Sequence, residues 1–202
     1  MSGFFYYLGV AADSVLSVFG VRAPYEQPPY HVLQTIDNGV EIRAYDARVA
    51  VETTITAAND GAAFGRLFRY ITGANNGAAK ISMTVPVQMG PPERIAMTVP
   101  VEMGDDRVMR FFLPKAVAAH PPAPTDPLVH VVTLPPETFG VLKFSGTINA
   151  ESVADHKAAL LRVLNAAGRR VDGAPSVFSY DPPFSIPFLR RNEVAARLVE
   201  TP

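Results

Sequence analysis

Apolar and polar side chains alternate with period two over residues 30–36 and 40–45, on either side of the turn Asp37-Asn38-Gly39, and this predicts a β-hairpin. Residues 48–56 read as a further strand. The period then lengthens. Ala63, Phe64, Leu67, Phe68 and Ile71 recur at helical spacing, behind a cap at Asn59 or Asp60 and ahead of a terminating Gly73. That spacing turns the five apolar residues inward and puts Arg66, Arg69 and Tyr70 on the flanks. Strand patterning returns at 80–104 and 108–113. The same order is then repeated: strands at 128–134 and 139–145, a helix capped by Asn149 with Val153, Leu160, Leu161 and Leu164 facing inward and Gly168 ending it, and strands at 176–180 and 193–199. Two strand-strand-helix-strand-strand units, joined through the proline-rich stretch 120–127, predict an α+β fold. Its sheet is curved and antiparallel, or closed into a distorted barrel, with two flanking helices and an internal pseudo-duplication.

Ahead of this domain, Phe4, Leu8, Ala11, Val15 and Phe19 fall on one side of a helix, while Asp13, Ser14 and Ser17 gather on another. No Lys or Arg precedes Arg22, so the positive region of a secretory signal is missing and a cytoplasmic protein is expected. An amphipathic helix over 4–19 docks on its own domain, on a partner protein or on a membrane surface, and an uncleaved membrane anchor is the remaining reading. Pro24, Pro28 and Pro29 mark a linker, which divides the chain into 1–27 and a domain spanning 28–202.

Within the first unit, Ile81-Ser82-Met83-Thr84-Val85-Pro86-Val87-Gln88-Met89-Gly90 recurs as Ile95-Ala96-Met97-Thr98-Val99-Pro100-Val101-Glu102-Met103-Gly104, with two of the ten positions changed. Strict alternation puts Ile81, Met83, Val85, Val87 and Met89 on one face, and Ile95, Met97, Val99, Val101 and Met103 likewise. Such a band is either core or the soft lining of a cavity. Pro86 and Pro100 have no N–H for a ladder, so each copy is expected to bulge or to run at an edge.

Composition narrows the chemistry. Of 202 residues none is Cys, which removes disulfides, thiolate-bound metals, iron–sulfur clusters, cysteine nucleophiles and covalently attached haem. A formal charge of -1 gives no basic field for nucleic acid. Nineteen prolines, about twice the usual share of roughly 5%, favour turns and edge strands over a helical bundle. Phosphate-binding glycine loops, G-x-S-x-G and H-E-x-x-H are all missing. His31, His120, His130 and His156 show no i, i+3 or i+4 pairing that would signal a metal cluster.

The paired I-x-M-T-V-P-V segments, the helix Ala63-Phe64-Gly65-Arg66-Leu67-Phe68-Arg69-Tyr70-Ile71, the strand Glu41-Ile42-Arg43-Ala44-Tyr45, and the closing Tyr180-Asp181-Pro182-Pro183 and Arg190-Arg191-Asn192-Glu193-Val194 together resemble the SOUL family of haem-binding proteins. The resemblance spans about residues 30–200. It implies a twisted antiparallel barrel with two helices, non-covalent binding of haem b or another tetrapyrrole, and a carrier, buffer or sensor with no established enzymatic activity. On this reading Phe64, Leu67, Phe68, Met83 and Met97 supply an apolar slot. Arg66 and Arg69, at i and i+3, reach the two propionates. Some members carry a histidine in the strand where this chain has Ala44, so no axial ligand is inherited. His31, in the preceding strand of the same hairpin, is the leading candidate for an iron ligand, with Tyr45 or a methionine of the repeat as alternatives. Two other readings stay open: a haem-dependent enzyme with an open iron site, and a membrane- or protein-interaction module whose cavity is vestigial.

Overall fold

The computed structural model describes residues 25–55, 60–91, 107–182 and 184–199. The expected helix over 4–19, the second repeat with Met97, the cap candidate Asn59 and Pro183 of the closing motif lie outside the described residues. The strands are β1 (Tyr30–Thr35), β2 (Glu41–Tyr45), β3 (Arg48–Ile55), β4 (Val87–Gly90), β5 (Arg107–Phe112), β6 (His130–Leu134), β7 (Glu137–Phe144), β8 (Ser176–Ser179) and β9 (Asn192–Arg197). The helices are α1 (Asp60–Ile71), the single turn α2 (Lys115–Ala118) and α3 (Ala150–Ala166).

All nine strands join one antiparallel sheet in the order β1-β2-β7-β9-β8-β4-β5-β3-β6, curled into a half-barrel. The order displays the internal duplication and adds a twist to it. Around the β8–β4 pair in the middle, β7-β9-β8 mirrors β3-β5-β4, and each unit lends one strand to the other. β2, from the first unit, pairs with β7, while β6, from the second, pairs with β3. The two units are therefore interlocked, and neither has a complete sheet alone.

Both helices cover the same face. α1 packs on β3 and β5 through Ala63, Leu67, Tyr70 and Ile71, over Val51, Ile55, Met109 and Phe111. α3 packs on β7 and β9 through Leu160 and Leu164, over Val40, Ile42, Val177, Val194 and Ala196. Local chemistry sets the ends of α3. Asn149 accepts a hydrogen bond from the Ser152 amide at 2.8 Å, and Gly168 ends the helix with a φ of +66°. Close approach is enforced at Gly140 of β7, where a methyl group would lie 2.6 Å from the Leu164 side chain.

Two sequence expectations are corrected here. Among the described residues of the stretch 80–104, namely 80–91, only Val87–Gly90 joins the ladder, and 81–86 lies outside it, tied to the N-terminal linker by a Glu26–Thr84 bridge. The expected alternation of 81, 83, 85, 87 and 89 on one face also fails within the repeat. Ile81 and Val87 belong to the core under α1, whereas Val85, next to Pro86, packs on the opposite face with Tyr45, Phe139 and Phe178. Pro86 has no N–H for the ladder, so pairing starts only after it. The second correction concerns helix rotation. Tyr70 is 1% exposed and lies inward, while Phe64 and Phe68 are 38% and 45% exposed; in α3 it is Leu161 that turns outward. Tyr70 takes the inward position because its hydroxyl donates to the Pro122 carbonyl at 2.8 Å, which satisfies its one polar atom while the ring fills the core.

Candidate functional site

The outer surface of α1 carries the residues expected to hold a ligand. Phe64 and Phe68, four apart and hence stacked along one side of the helix, have ring centroids 6.0 Å apart and planes 14° from parallel. The Phe64 ring stands edge-on against Phe111 of β5 at 5.1 Å, which anchors the pair to the sheet. Leu67 is fully buried behind them, and Met83 is partly buried against the same core. The pair therefore forms a flat, half-exposed apolar platform with a rigid backing.

The two arginines of this helix are not equivalent. Arg66 turns toward the sheet, where Nε donates to Thr53 Oγ1 at 3.0 Å and Nη2 to the Thr54 carbonyl at 2.8 Å. Thr53 in turn donates to the Leu128 carbonyl at 2.7 Å, so Arg66 helps to fasten α1 and β3 to the β6 side. Arg69 is 62% exposed, and among the described residues its one ion pair is a long one, 3.7 Å, with Asp126. Of the two, Arg69 is the cation available to a carboxylate.

His31 is not near this platform. It pairs in register with Ala44, as the hairpin predicts, but β1 ends the sheet on the α3 side, and β2, β7, β9, β8 and β4 lie between it and the strands under α1. Its edge position leaves it exposed. His130 starts β6 at the other edge, and His120 follows α2. His156 stacks on Phe144 at 4.1 Å, and its Nδ1–H donates to the Ser152 carbonyl at 2.6 Å. Among the described residues no three His, Asp or Glu side chains converge as a metal site.

The sequence reading missed the polar network on the face opposite the helices. Glu193 on β9 is completely buried and accepts two bonds from Arg43 on β2, at 2.9 and 3.1 Å. It also accepts from the Tyr180 hydroxyl at 2.8 Å and from Arg191 at 2.7 and 3.0 Å. Arg43 reaches Glu41 at 2.8 Å and lies over the Tyr30 ring at 4.3 Å, and Arg191 covers Tyr180 at 4.0 Å. Further along the same face, Arg48 pairs with Glu137, and Arg110 with Glu52 at 2.7 Å. Burial by itself would raise the Glu193 carboxyl, but the hydrogen bonds and charges of Arg43 and Arg191 hold it below the ordinary value. Burial, reinforced by the Glu193 charge, pushes the Tyr180 hydroxyl well up. With every carboxylate lone pair engaged, Glu193 has no capacity left to act as a base, and the network is a structural tie across β2, β9 and the β8–β9 loop. Its one sequence signal is the alternation that puts Glu41, Arg43 and Tyr45 on one side of a strand, and Arg191 and Glu193 on one side of another.

Among the described residues no helix is long and apolar enough to cross a membrane. No curated protein matches the chain. Solved structures share its fold at low identity. The C-terminal domain of EcmrR superposes with a TM-score of 0.56 at 10% identity, over 85% of this chain and 99% of that one. An uncharacterized conserved protein from Listeria innocua gives 0.56 at 12%, over 79% and 92%, and a hydrolase from the same organism 0.54 at 11%, over 79% and 91%. At such identities the likeness is one of fold alone. The sequence itself matches the profile of the SOUL heme-binding protein family over residues 25–197, from the linker before β1 to the end of β9, and the chain belongs to that family.

Proposed function

We propose that this protein binds haem b or a related tetrapyrrole non-covalently on the outer surface of α1, as a carrier, buffer or sensor. The observation that supports the site is the Phe64–Phe68 platform, an exposed stacked pair on a helix whose Ala63, Leu67, Tyr70 and Ile71 are buried. A macrocycle face can cover those rings, and Arg69 is the side chain positioned to meet a propionate. The residues present fit the periphery of a tetrapyrrole. None of them is assigned as an iron ligand, and His31 is too far around the sheet to serve the α1 surface. Family membership supports the ligand class. Residues 4–19 are proposed as a contact for a membrane surface or a partner protein, separate from ligand binding.

The test is a haem titration followed by the Soret band. Arg69→Glu and Phe64→Ala/Phe68→Ala should each weaken binding by at least about tenfold, while a chain starting at Gln27 keeps the parent affinity. Unchanged affinity in both α1 variants would remove the site from this helix.

A further inference from the structure

A second surface, independent of α1, has the form of a ligand site. Between β1 and the end of α3 lies a groove of about 460 Å³ lined by Leu33, Gln34, Ile42, Thr138, Ala167, Gly168, Arg169, Arg170, Leu198 and Val199. Volumes of this order are typical of small-molecule sites. Its floor is the buried pair Ile42 and Leu198, and its lips are Leu33, 61% exposed, and Val199. Two cations stand on its rim, and among the described residues no carboxylate lines it. Arg169 is held in place by a 2.8 Å bond from Nη2 to Gln34 Oε1, and the Arg170 side chain has no partner among the described residues. That first bond occupies the amide oxygen of Gln34 and leaves its NH₂ as a further donor toward the groove.

The groove shares Thr138, Leu198 and Val199 with a second recess of about 280 Å³ that is also lined by Pro135 and Pro136. The acids of that recess are already matched: Asp172 pairs with Arg197 at 2.7 Å, and Glu137 pairs with Arg48 and with Arg197. The result is a trough with an apolar stretch over Leu33, Ile42, Leu198 and Val199 and a cationic end at Arg169 and Arg170. A disc-shaped ligand suits this shape poorly, whereas a chain with one charged end matches both the shape and the charge.

We infer that the trough between β1 and α3 binds a single-chain amphiphile with an anionic head, of the long-chain carboxylate class, with the head at Arg169 and Arg170 and the chain over Ile42, Leu198 and Val199. The carboxylate accepts hydrogen bonds only, which suits a rim of donors. Its chain removes Leu33 and Val199 from water. This inference does not depend on the α1 reading.

Dodecanoate, kept below its micelle concentration, and fluorescent cis-parinarate are the probes for the full chain. Saturable one-to-one binding is expected. Arg169→Gln/Arg170→Gln should weaken it about tenfold or more, dodecanol should bind comparably weakly to the parent, and Leu33→Asp should lower affinity without lowering the melting temperature, because all three substituted positions are exposed. Retained affinity in the double arginine variant overturns the assignment. So does binding seen only with anionic phospholipid vesicles, which would mark a membrane contact, or loss of probe binding in Arg69→Glu, which would place the probe on α1. A failed haem titration with intact dodecanoate binding would count against the α1 reading and leave this one standing.

Discussion

From the side of α1 and α3 the central sheet is an apolar floor of Val51, Met109, Phe111, Val177 and Val194; from the other side it carries Arg43, Glu193, Arg48, Glu137, Arg110 and Glu52, most of them as deeply buried as the valines. The apolar face owes its stability to burial and dispersion, which are non-directional and fall off gradually when a side chain is trimmed. The ionic face depends on geometry. Each buried charge is tolerable only while its partner is in place, so losing one side of a pair costs more than the pair itself contributes. One sheet thus combines a face that degrades by increments with one that fails at single positions.

The sharpest way to break this contrast is at Glu193. Glu193→Ala leaves Arg43 and half of Arg191 without their carboxylate, and we expect a loss of about 3–5 kcal/mol in urea unfolding. Arg43→Met/Glu193→Leu, which removes both charges, should recover much of it. If single and double variants are equally destabilised, the ionic face is no more demanding than the apolar one.

On the helix side, Leu164→Ala should cost about 2–5 kcal/mol and Gly140→Ala about 1–3 kcal/mol, the first by opening a cavity and the second by crowding the Leu164 methyls. Because the added methyl occupies space that the truncation vacates, the two together should cost less than their sum. Strict additivity in that double-mutant cycle would contradict the close contact between β7 and α3.

The faces should also separate by pH. The Glu193 carboxyl is held below its ordinary value of 4.5 in the folded state, so its ionised form adds stability above that value, and this is lost as pH falls through the folded pKa. Tyr180 is pushed above 10.0, so the folded state holds its proton when the unfolded state releases it, and stability declines as pH rises beyond 10.0. Glu193→Gln should flatten the acid limb of a melting-temperature profile, whereas Leu164→Ala should lower the whole profile with its shape unchanged.

The smallest effect on stability is expected at the proposed ligand surface. Arg69→Glu, on an exposed side chain with a 3.7 Å pair, should shift unfolding by a few tenths of a kcal/mol while weakening haem. Arg66→Glu is the counterpart, since it also breaks the ties to Thr53 and Thr54 and should lower the melting temperature. Equal melting temperatures for the two would show that the contrast drawn between these arginines is unfounded.

Much of the scaffold was legible in the sequence because it is local. The turn at Asp37-Asn38-Gly39, the Asn149 cap, the Gly168 stop and the alternation of β2, β3 and β7 are decided by groups a few residues apart, and the recurrence of the two units could be read from their order. Family motifs carried the reading from fold to ligand class. What the sequence could not decide is which of two neighbouring stripes a helix buries, or which strands from different units become partners. Phe64 and Phe68 carry the stronger apolar signal, yet Tyr70 is the one inside, because a carbonyl at Pro122 meets its hydroxyl. Arg43 and Glu193 are 150 positions apart and meet only because β2 crosses to β7 beside β9. Periodicity reports which residues share a side; only the packing of distant segments determines what that side faces, and here it turned an apolar stripe into a surface and a set of charges into core.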